Sequence, residues 1–205
     1  DRTCGVARAI VAAKIANGRA VLLRANRDRP EAEGSERLAA AAASMGLLLS
    51  DLDRRPDVDS VRGVEGAAAR AYFDVFDDLI SQQKNDFRFA GRNRRPPLDR
   101  VNALLSFVYT LLLHDFRCAV ETVGLDPAVG FLHRERPGRP SLALDLMEEF
   151  RSWFADRLVL SLVNLKQVDA GSFDVEASGA VTLTDTGRRT VLTAYQKRKQ
   201  EEIVH

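Results

Sequence analysis

Apolar positions recur at helical spacing along most of the chain. Between about Thr3 and Asn26, Val6, Ile10, Val11, Ile15, Val21 and Leu22 share one helical face, and Pro30 and Gly34 then break the run. Ser35 and Glu36 open a second predicted helix through Leu38, Met45, Leu48 and Leu52, which stops before Pro56. A third runs from about Asp57 to Gln83, with Val64, Ala68, Tyr72, Phe76 and Leu79 on one side. The segment Asn85 to Pro97 is polar, arginine-rich and ends in two prolines, so it reads as a loop. A long apolar helix follows from Leu98 to Val123, closed by Gly124 and Pro127. His133 to Pro140 reads as a basic loop, and the helix after it, Ser141 to Asn164, is expected to bury Leu142, Leu146, Phe150, Trp153 and Leu158. Period-two alternation occurs once: Phe173 to Glu176 and Ala180 to Leu183 flank Ala177-Ser178-Gly179 as a small β-hairpin. Thr184 and Asp185 then cap a closing helix that ends in Lys197-Arg198-Lys199. The pattern predicts a mostly α, multi-helix single domain over residues 1–205, with the hairpin just before its last helix.

Composition narrows the function classes. A chain of 205 residues removes roughly 70% of its extended surface on folding, enough for one sizeable core or two small ones. Thirty basic against twenty-nine acidic residues leave a formal charge of +1, which excludes a uniformly basic DNA-coating protein. The longest nearly apolar stretch, Val101 to Leu113, is bounded by charges and is too short for a membrane span. Cys4 and Cys118 make neither a disulfide framework nor a thiolate zinc site, and no signal peptide is recognisable, so a cytoplasmic location is expected. The first residue is Asp1 and helical pattern begins at once, which suggests a piece of a longer protein. Lysine occurs only at positions 14, 84, 166, 197 and 199, so nearly all positive charge is arginine, whose planar fork suits phosphate.

Candidate chemistry centres on His133. His114 lies in an apolar helix and reads as structural, and His205 carries no signal. His133 stands at the mouth of the basic loop Arg134-Glu-Arg136-Pro-Gly-Arg139, and the next helix presents Asp145, Glu148 and Glu149 at i, i+3 and i+4. Acids so crowded repel one another unless cations compensate, although a solvated acidic face fits the spacing as well. Glu65, between Gly63 and Gly66, sits on a small-residue helix face open to another helix or a ligand. One imidazole with carboxylate oxygens is a ligand set for Mg²⁺ or Mn²⁺, ions that serve phosphoryl transfer. The clusters Arg92-Asn-Arg94-Arg95 and Arg134/Arg136/Arg139 would hold a polyanion beside such an ion.

Four strings occur in a familiar order: Val64-Glu65-Gly-Ala-Ala-Ala-Arg-Ala-Tyr72-Phe73, Arg94-Arg-Pro-Pro-Leu-Asp-Arg-Val-Asn102 through Tyr109, Gly124 through His133, and Gly138 through Asp145-Leu-Met-Glu148-Glu-Phe-Arg151. Together they resemble the C-terminal helical catalytic domain of the CRISPR-associated integrase that inserts new spacers. The resemblance runs from the Lys14-Ile-Ala-Asn17 helix to the final basic helix. It implies that Glu65, His133 and Glu148 bind the metal. Many members carry Asp at the position of Glu148, and Asp145 one turn earlier matches a supporting acid. Arg151 falls where a basic residue could touch DNA, alongside Arg92, Arg94, Arg95 and Arg139.

The implied reaction is transesterification, in which a prespacer 3′-hydroxyl attacks a phosphodiester at the border of the CRISPR repeat. With water in place of the hydroxyl, the same centre is a nuclease. The resemblance further implies DNA as substrate, a homodimer, and a small dimeric partner of ferredoxin-like fold. A fused or associated exonuclease occurs in some members. The family's N-terminal β-rich domain is absent from these residues. Two other readings share parts of this pattern: a non-catalytic DNA-binding scaffold of the adaptation complex, and a stand-alone repair nuclease for branched DNA.

Overall fold

The structure, a computed structural model, describes residues 2–203; Asp1 and His205 lie outside them. Beside short 3-10 and π-helical turns, the described residues form seven α-helices and one hairpin: α1 (Arg2–Asp28), α2 (Ser35–Asp51), α3 (Val58–Phe73), α4 (Arg100–Thr122), α5 (Ser141–Phe150), α6 (Arg157–Asn164), β1 (Phe173–Val175), β2 (Val181–Leu183) and α7 (Asp185–Glu202). The mostly α class and the position of the hairpin are as the periodicity predicts. By internal packing the chain forms two compact units, residues 1–75 with 111–153 and residues 76–110 with 154–205.

In the first unit α1 packs against α2, α3 and α5. Its buried stripe, Ala7, Val11, Ile15 and Leu22, meets Leu38, Ala42 and Met45 of α2 and Val61, Val64 and Ala68 of α3. Gly18 lets the helices approach, since a Cβ there would lie 3.0 Å from the Met45 Cε and 3.5 Å from the Tyr72 ring. Helix α3 starts on a capping box, with the Ser60 N–H donating to Asp57 at 2.8 Å. It ends at Phe73, ten residues before the sequence expectation. Phe76 and Leu79 continue the helical period but belong to the other unit, where both are buried, and Asp77 there accepts from the Phe89 N–H at 2.7 Å. Tertiary burial has overridden local periodicity.

The second unit is built around Phe76, Phe87, Leu104, Leu105, Phe154 and Tyr195, all buried. Asn102 is fully buried and knots the arginine-rich loop to α4. Its amide donates to the Gly91 carbonyl (2.8 Å) and its oxygen accepts from the Arg92 guanidinium (2.5 Å) and the Asn93 N–H (3.1 Å). The hairpin pairs Phe173 with Leu183 and Val175 with Val181 in antiparallel register. Thr184 caps α7 by accepting from the Gly187 N–H at 3.1 Å.

Two further expectations need correction. The apolar stretch of α4 extends to a helix of 23 residues, long and apolar enough by length and composition to cross a membrane. Within its most apolar window 39% is buried, Val101, Leu104, Leu105, Val108 and Leu112 among the buried residues. The predicted helix Ser141–Asn164 is interrupted by a π-helical segment, Arg151–Asp156, and Leu146 is 39% exposed rather than buried, Ala143 and Met147 taking the core positions.

Candidate active site

Three elements of the first unit bring the sequence's candidate residues together. Helix α3 supplies Glu65, the 131–133 segment supplies His133, and α5 supplies Asp145 and Glu148. Asp145 is fully buried, and its carboxylate is an anchor for the loop. The N–H groups of Phe131 (2.6 Å) and Leu132 (2.9 Å) donate to Oδ2, and the His133 N–H (2.9 Å) donates to Oδ1. The His133 Nδ1 lies 2.7 Å from the same Oδ1. Burial works against the charge, but the His133 ring and the three amides outweigh it and hold the Asp145 carboxyl below its ordinary value. The Nδ1 contact with Asp145 fixes the orientation of the ring and leaves Nε2 on the side of Glu148.

Gly130 makes this anchor possible. A Cβ at that position would lie 2.8 Å from the Ser141 Cβ and 2.9 Å from the Asp145 Oδ2. Arg62, one turn before Glu65 on α3, donates from Nε to the Leu132 carbonyl at 2.6 Å and pins the same segment from the opposite side.

Glu148, 4% exposed, has a different environment. Its Oε2 lies 2.5 Å from the Lys14 ammonium, its Oε1 lies 3.1 Å from the Arg151 Nε, and the His133 Nε2 stands 3.7 Å from Oε1. Desolvation opposes its charge, yet Arg151 and Lys14 hold the Glu148 carboxyl down to about 2. Lys14, from α1, also contacts the Glu65 carboxylate, so its ammonium bridges the two acids. Burial lowers the Lys14 pKa, and the two glutamates more than reverse this, leaving it raised. No local pattern marks this bridge, because Lys14 lies 51 residues from Glu65.

Beside these residues, Glu65, Leu132 and His133 line a cleft of about 230 Å³ rimmed by Arg62, Arg134, Arg136 and Arg139. Asp59 holds Arg134 (2.9 and 3.1 Å) and also contacts Arg62, while Arg136 and Arg139 have no ion-pair partner among the described residues. A roomier cleft between α6 and α7 lacks such chemistry. Its Lys197 and Arg198 pair with Glu201 (3.9 Å) and Glu202 (3.0 Å) on the same helix.

Several candidates are placed otherwise than expected. Glu149 faces solvent and shares nothing with Glu148 beyond the helix. Arg92 is turned into its own unit, where it donates to the Asn93 carbonyl (2.7 Å) and Asn102 and lies 5.4 Å from the centre of the Tyr109 ring, so its guanidinium is structural. Arg151, only 14% exposed, pairs with Glu148 instead of standing on an open surface. Arg94 and Arg95 are exposed in the second unit. No neighbouring helix packs on Gly63 or Gly66, since a Cβ at either would meet nothing within 4 Å. His114 is exposed on α4, with its Nε2 3.7 Å from the Cys118 Sγ, consistent with a helix-surface residue.

Among the described residues no three acidic, histidine or cysteine side chains form a ready-made metal shell. The donor chemistry nonetheless fits a hard divalent ion. Carboxylates from two helices converge on one cationic group, the Lys14 ammonium, and an imidazole held by Asp145 stands beside one of them.

Two glutamates, an imidazole held by a buried aspartate and a rim of arginines thus lie together in the first unit. Residues 1–197 match the family described as CRISPR associated protein Cas1, and the chain belongs to that family. It is 56% identical over its whole length to a CRISPR-associated endonuclease Cas1 of Chlorobaculum tepidum, and 41% identical over 99% of its length to a CRISPR-associated exonuclease Cas4/endonuclease Cas1 fusion of Geobacter sulfurreducens. The chain spans about 60% of the first relative's length and 36% of the fusion's. Among solved structures it is similar to a casposase bound to integration product (TM-score 0.83, 27% identity, 98% of this chain and 54% of that one). It is also similar to a partial Cas6-RT-Cas1–Cas2 complex (TM-score 0.84, 26% identity, 97% of this chain and 58% of that one).

Proposed function

We propose that this chain is the catalytic domain of a divalent-metal-dependent DNA integrase and endonuclease of CRISPR adaptation. One observation carries the reading: Glu65 and the Asp145-held His133 line one cleft edged by arginines, with the buried Glu148 directly beside His133, within a Cas1-family fold. Glu65, Glu148 and the His133 ring would hold Mg²⁺ or Mn²⁺, which would neutralise charge developing on a phosphodiester and activate the attacking oxygen. Asp145 keeps the imidazole oriented with Nε2 on the side of Glu148. Arg136 and Arg139, with Arg134, compensate the phosphate charge at the cleft. Arg94 and Arg95 contact DNA from the other unit. Arg151 acts through Glu148 and is a positioning residue.

In the reaction a prespacer 3′-hydroxyl oxygen forms a new bond to phosphorus at the repeat border. The bond from phosphorus to the original 3′-oxygen breaks, and that oxygen takes up the proton. No net phosphodiester is lost. Water as nucleophile converts the same exchange into strand cleavage. The casposase held with its integration product supports strand transfer as the reaction class. The Cas1–Cas2 complex and the Cas4/Cas1 fusion support a Cas2-type partner and an exonuclease neighbour, and a dimer of this chain completes the assembly.

The test uses full-length protein with its small partner, a duplex with free 3′-hydroxyl ends, and a supercoiled plasmid carrying a CRISPR repeat. Wild type is expected to join duplex to plasmid in Mg²⁺ or Mn²⁺ and not in EDTA, and Glu65→Ala and His133→Ala are each expected to lower joining at least ~10³-fold. Binding without any joining would favour a scaffold, and cleavage of branched DNA without joining would favour a repair nuclease.

A further inference from the structure

We propose that Lys14 is a built-in counter-cation of the Glu65–Glu148 pair, which holds the two carboxylates together and is displaced when a divalent ion binds them. The inference deepens the metal reading above and rests on it. Three observations carry it. First, the ammonium touches both acids at once, Glu148 at 2.5 Å, from a side chain that is 19% exposed. Two carboxylates from separate helices repel, so the bridging charge is what fixes their separation. Second, the charges around the pair already balance: Glu65 and Glu148 face Lys14 and Arg151. A divalent ion added to that set would bring two uncompensated positive charges into a partly buried site, and the cation standing between the two acids is the one it must replace. Third, the exchange leaves no buried charge orphaned. Arg151 stays on Oε1 of Glu148 at 3.1 Å, while Lys14 has a flexible four-carbon stem and some solvent exposure to leave by.

The position of Lys14 thus sets the affinity of the site. The divalent ion binds only the fraction of molecules in which the ammonium has left, and its apparent affinity is reduced accordingly. An arginine, with its rigid fork, would leave less readily than lysine.

Two measurements on the full-length protein test this. Mn²⁺ binding is followed by the electron paramagnetic resonance of free Mn²⁺ for wild type, Lys14→Met and Glu65→Gln. Lys14→Met is expected to bind Mn²⁺ roughly tenfold more tightly than wild type, because no ammonium has to be displaced. In parallel, wild type is acylated with a limiting amine-reactive ester, with and without Mn²⁺, and each lysine is read by mass spectrometry. Lys14 is expected to react faster with Mn²⁺ present, whereas exposed Lys197 reacts at an unchanged rate. The labelling arm uses wild type and decides the matter even if Lys14→Met does not fold. Mn²⁺ binding that Glu65→Gln removes, with unchanged Lys14 reactivity and no gain in Lys14→Met, would overturn the counter-cation and leave the metal site standing. An absence of Glu65-dependent Mn²⁺ binding in wild type would overturn both.

Discussion

Residues 130–139 form one loop with two unlike halves. In the first, Gly130 to His133, the amides of Phe131, Leu132 and His133 end on the buried Asp145, and the Leu132 carbonyl receives Arg62. In the second, Arg134 to Arg139, side chains are exposed or half-exposed, and two of the three guanidiniums have no ion-pair partner among the described residues. The first half is saturated with internal hydrogen bonds, so its geometry belongs to the fold. The second half leaves its donors unmatched, which costs little in water and keeps them for an anionic ligand. Substitutions in the first half should therefore register as stability, and substitutions in the second as binding.

The largest effect belongs to Asp145→Ala. Removing a fully buried carboxylate strands three backbone donors and the His133 ring, and loss of one partner from such a buried set costs on the order of 3–5 kcal/mol. The urea midpoint of the variant is expected to fall accordingly, together with Mn²⁺ binding, because Nε2 loses its fixed orientation. An unfolding free energy within about 0.5 kcal/mol of wild type, roughly the range of an ordinary surface substitution, would mean the first half is held by something other than Asp145.

Gly130→Ala comes next. The added methyl would meet the Ser141 Cβ at 2.8 Å, the Asp145 Oδ2 at 2.9 Å and the Ser141 backbone carbon at 2.9 Å, and the backbone cannot yield cheaply. Overpacking of this kind costs about 1–3 kcal/mol. The same denaturation curve reads it. Gly138→Ala, in the second half, places its methyl in open space, so its cost is confined to backbone strain at a φ of +72°. If the two alanines proved equally costly, close approach at Gly130 would not be the reason for its glycine.

The sequence disclosed these halves unequally. Helical periodicity located α1, α2, α4 and α7 to within a few residues, because each buries a regular stripe. The hairpin was legible from alternation, and Thr184 from its capping chemistry. Periodicity failed where the chain changes units after Val75, since Phe76 and Leu79 keep the helical spacing while packing elsewhere. The π-helical turn at Arg151–Asp156 leaves no trace in residue type. At the site, the face argument for Asp145 and Glu148 works as geometry, since both point inward, but it overcounts Glu149, one residue further round. Arginine composition could not separate Arg92, absorbed by Asn102 and Tyr109, from Arg136 and Arg139, because the distinction is made by partners distant in sequence or absent. Lys14 was present only as part of a motif string, and nothing local announces its two acids.

That last contrast among arginines yields the smallest effect and the finest test of the two halves. Arg136→Ala with Arg139→Ala removes no internal ion pair, so stability is expected to stay within about 0.5 kcal/mol of wild type. If both guanidiniums meet phosphates, the slope of log affinity for duplex DNA against log salt should become shallower by roughly 0.9 per lost contact, and binding at low salt should weaken regardless of sequence. Arg92→Ala should do the reverse. It leaves the Asn102 oxygen with only the Asn93 N–H and uncovers the face of Tyr109, costing about 1–2 kcal/mol of stability as a buried hydrogen bond to a charged group is lost, and it should leave the salt slope where it was. An unchanged slope in the Arg136/Arg139 double variant would place the phosphates away from the second half of the loop. A shallower slope in Arg92→Ala would show that burial in the fold does not keep an arginine from the DNA.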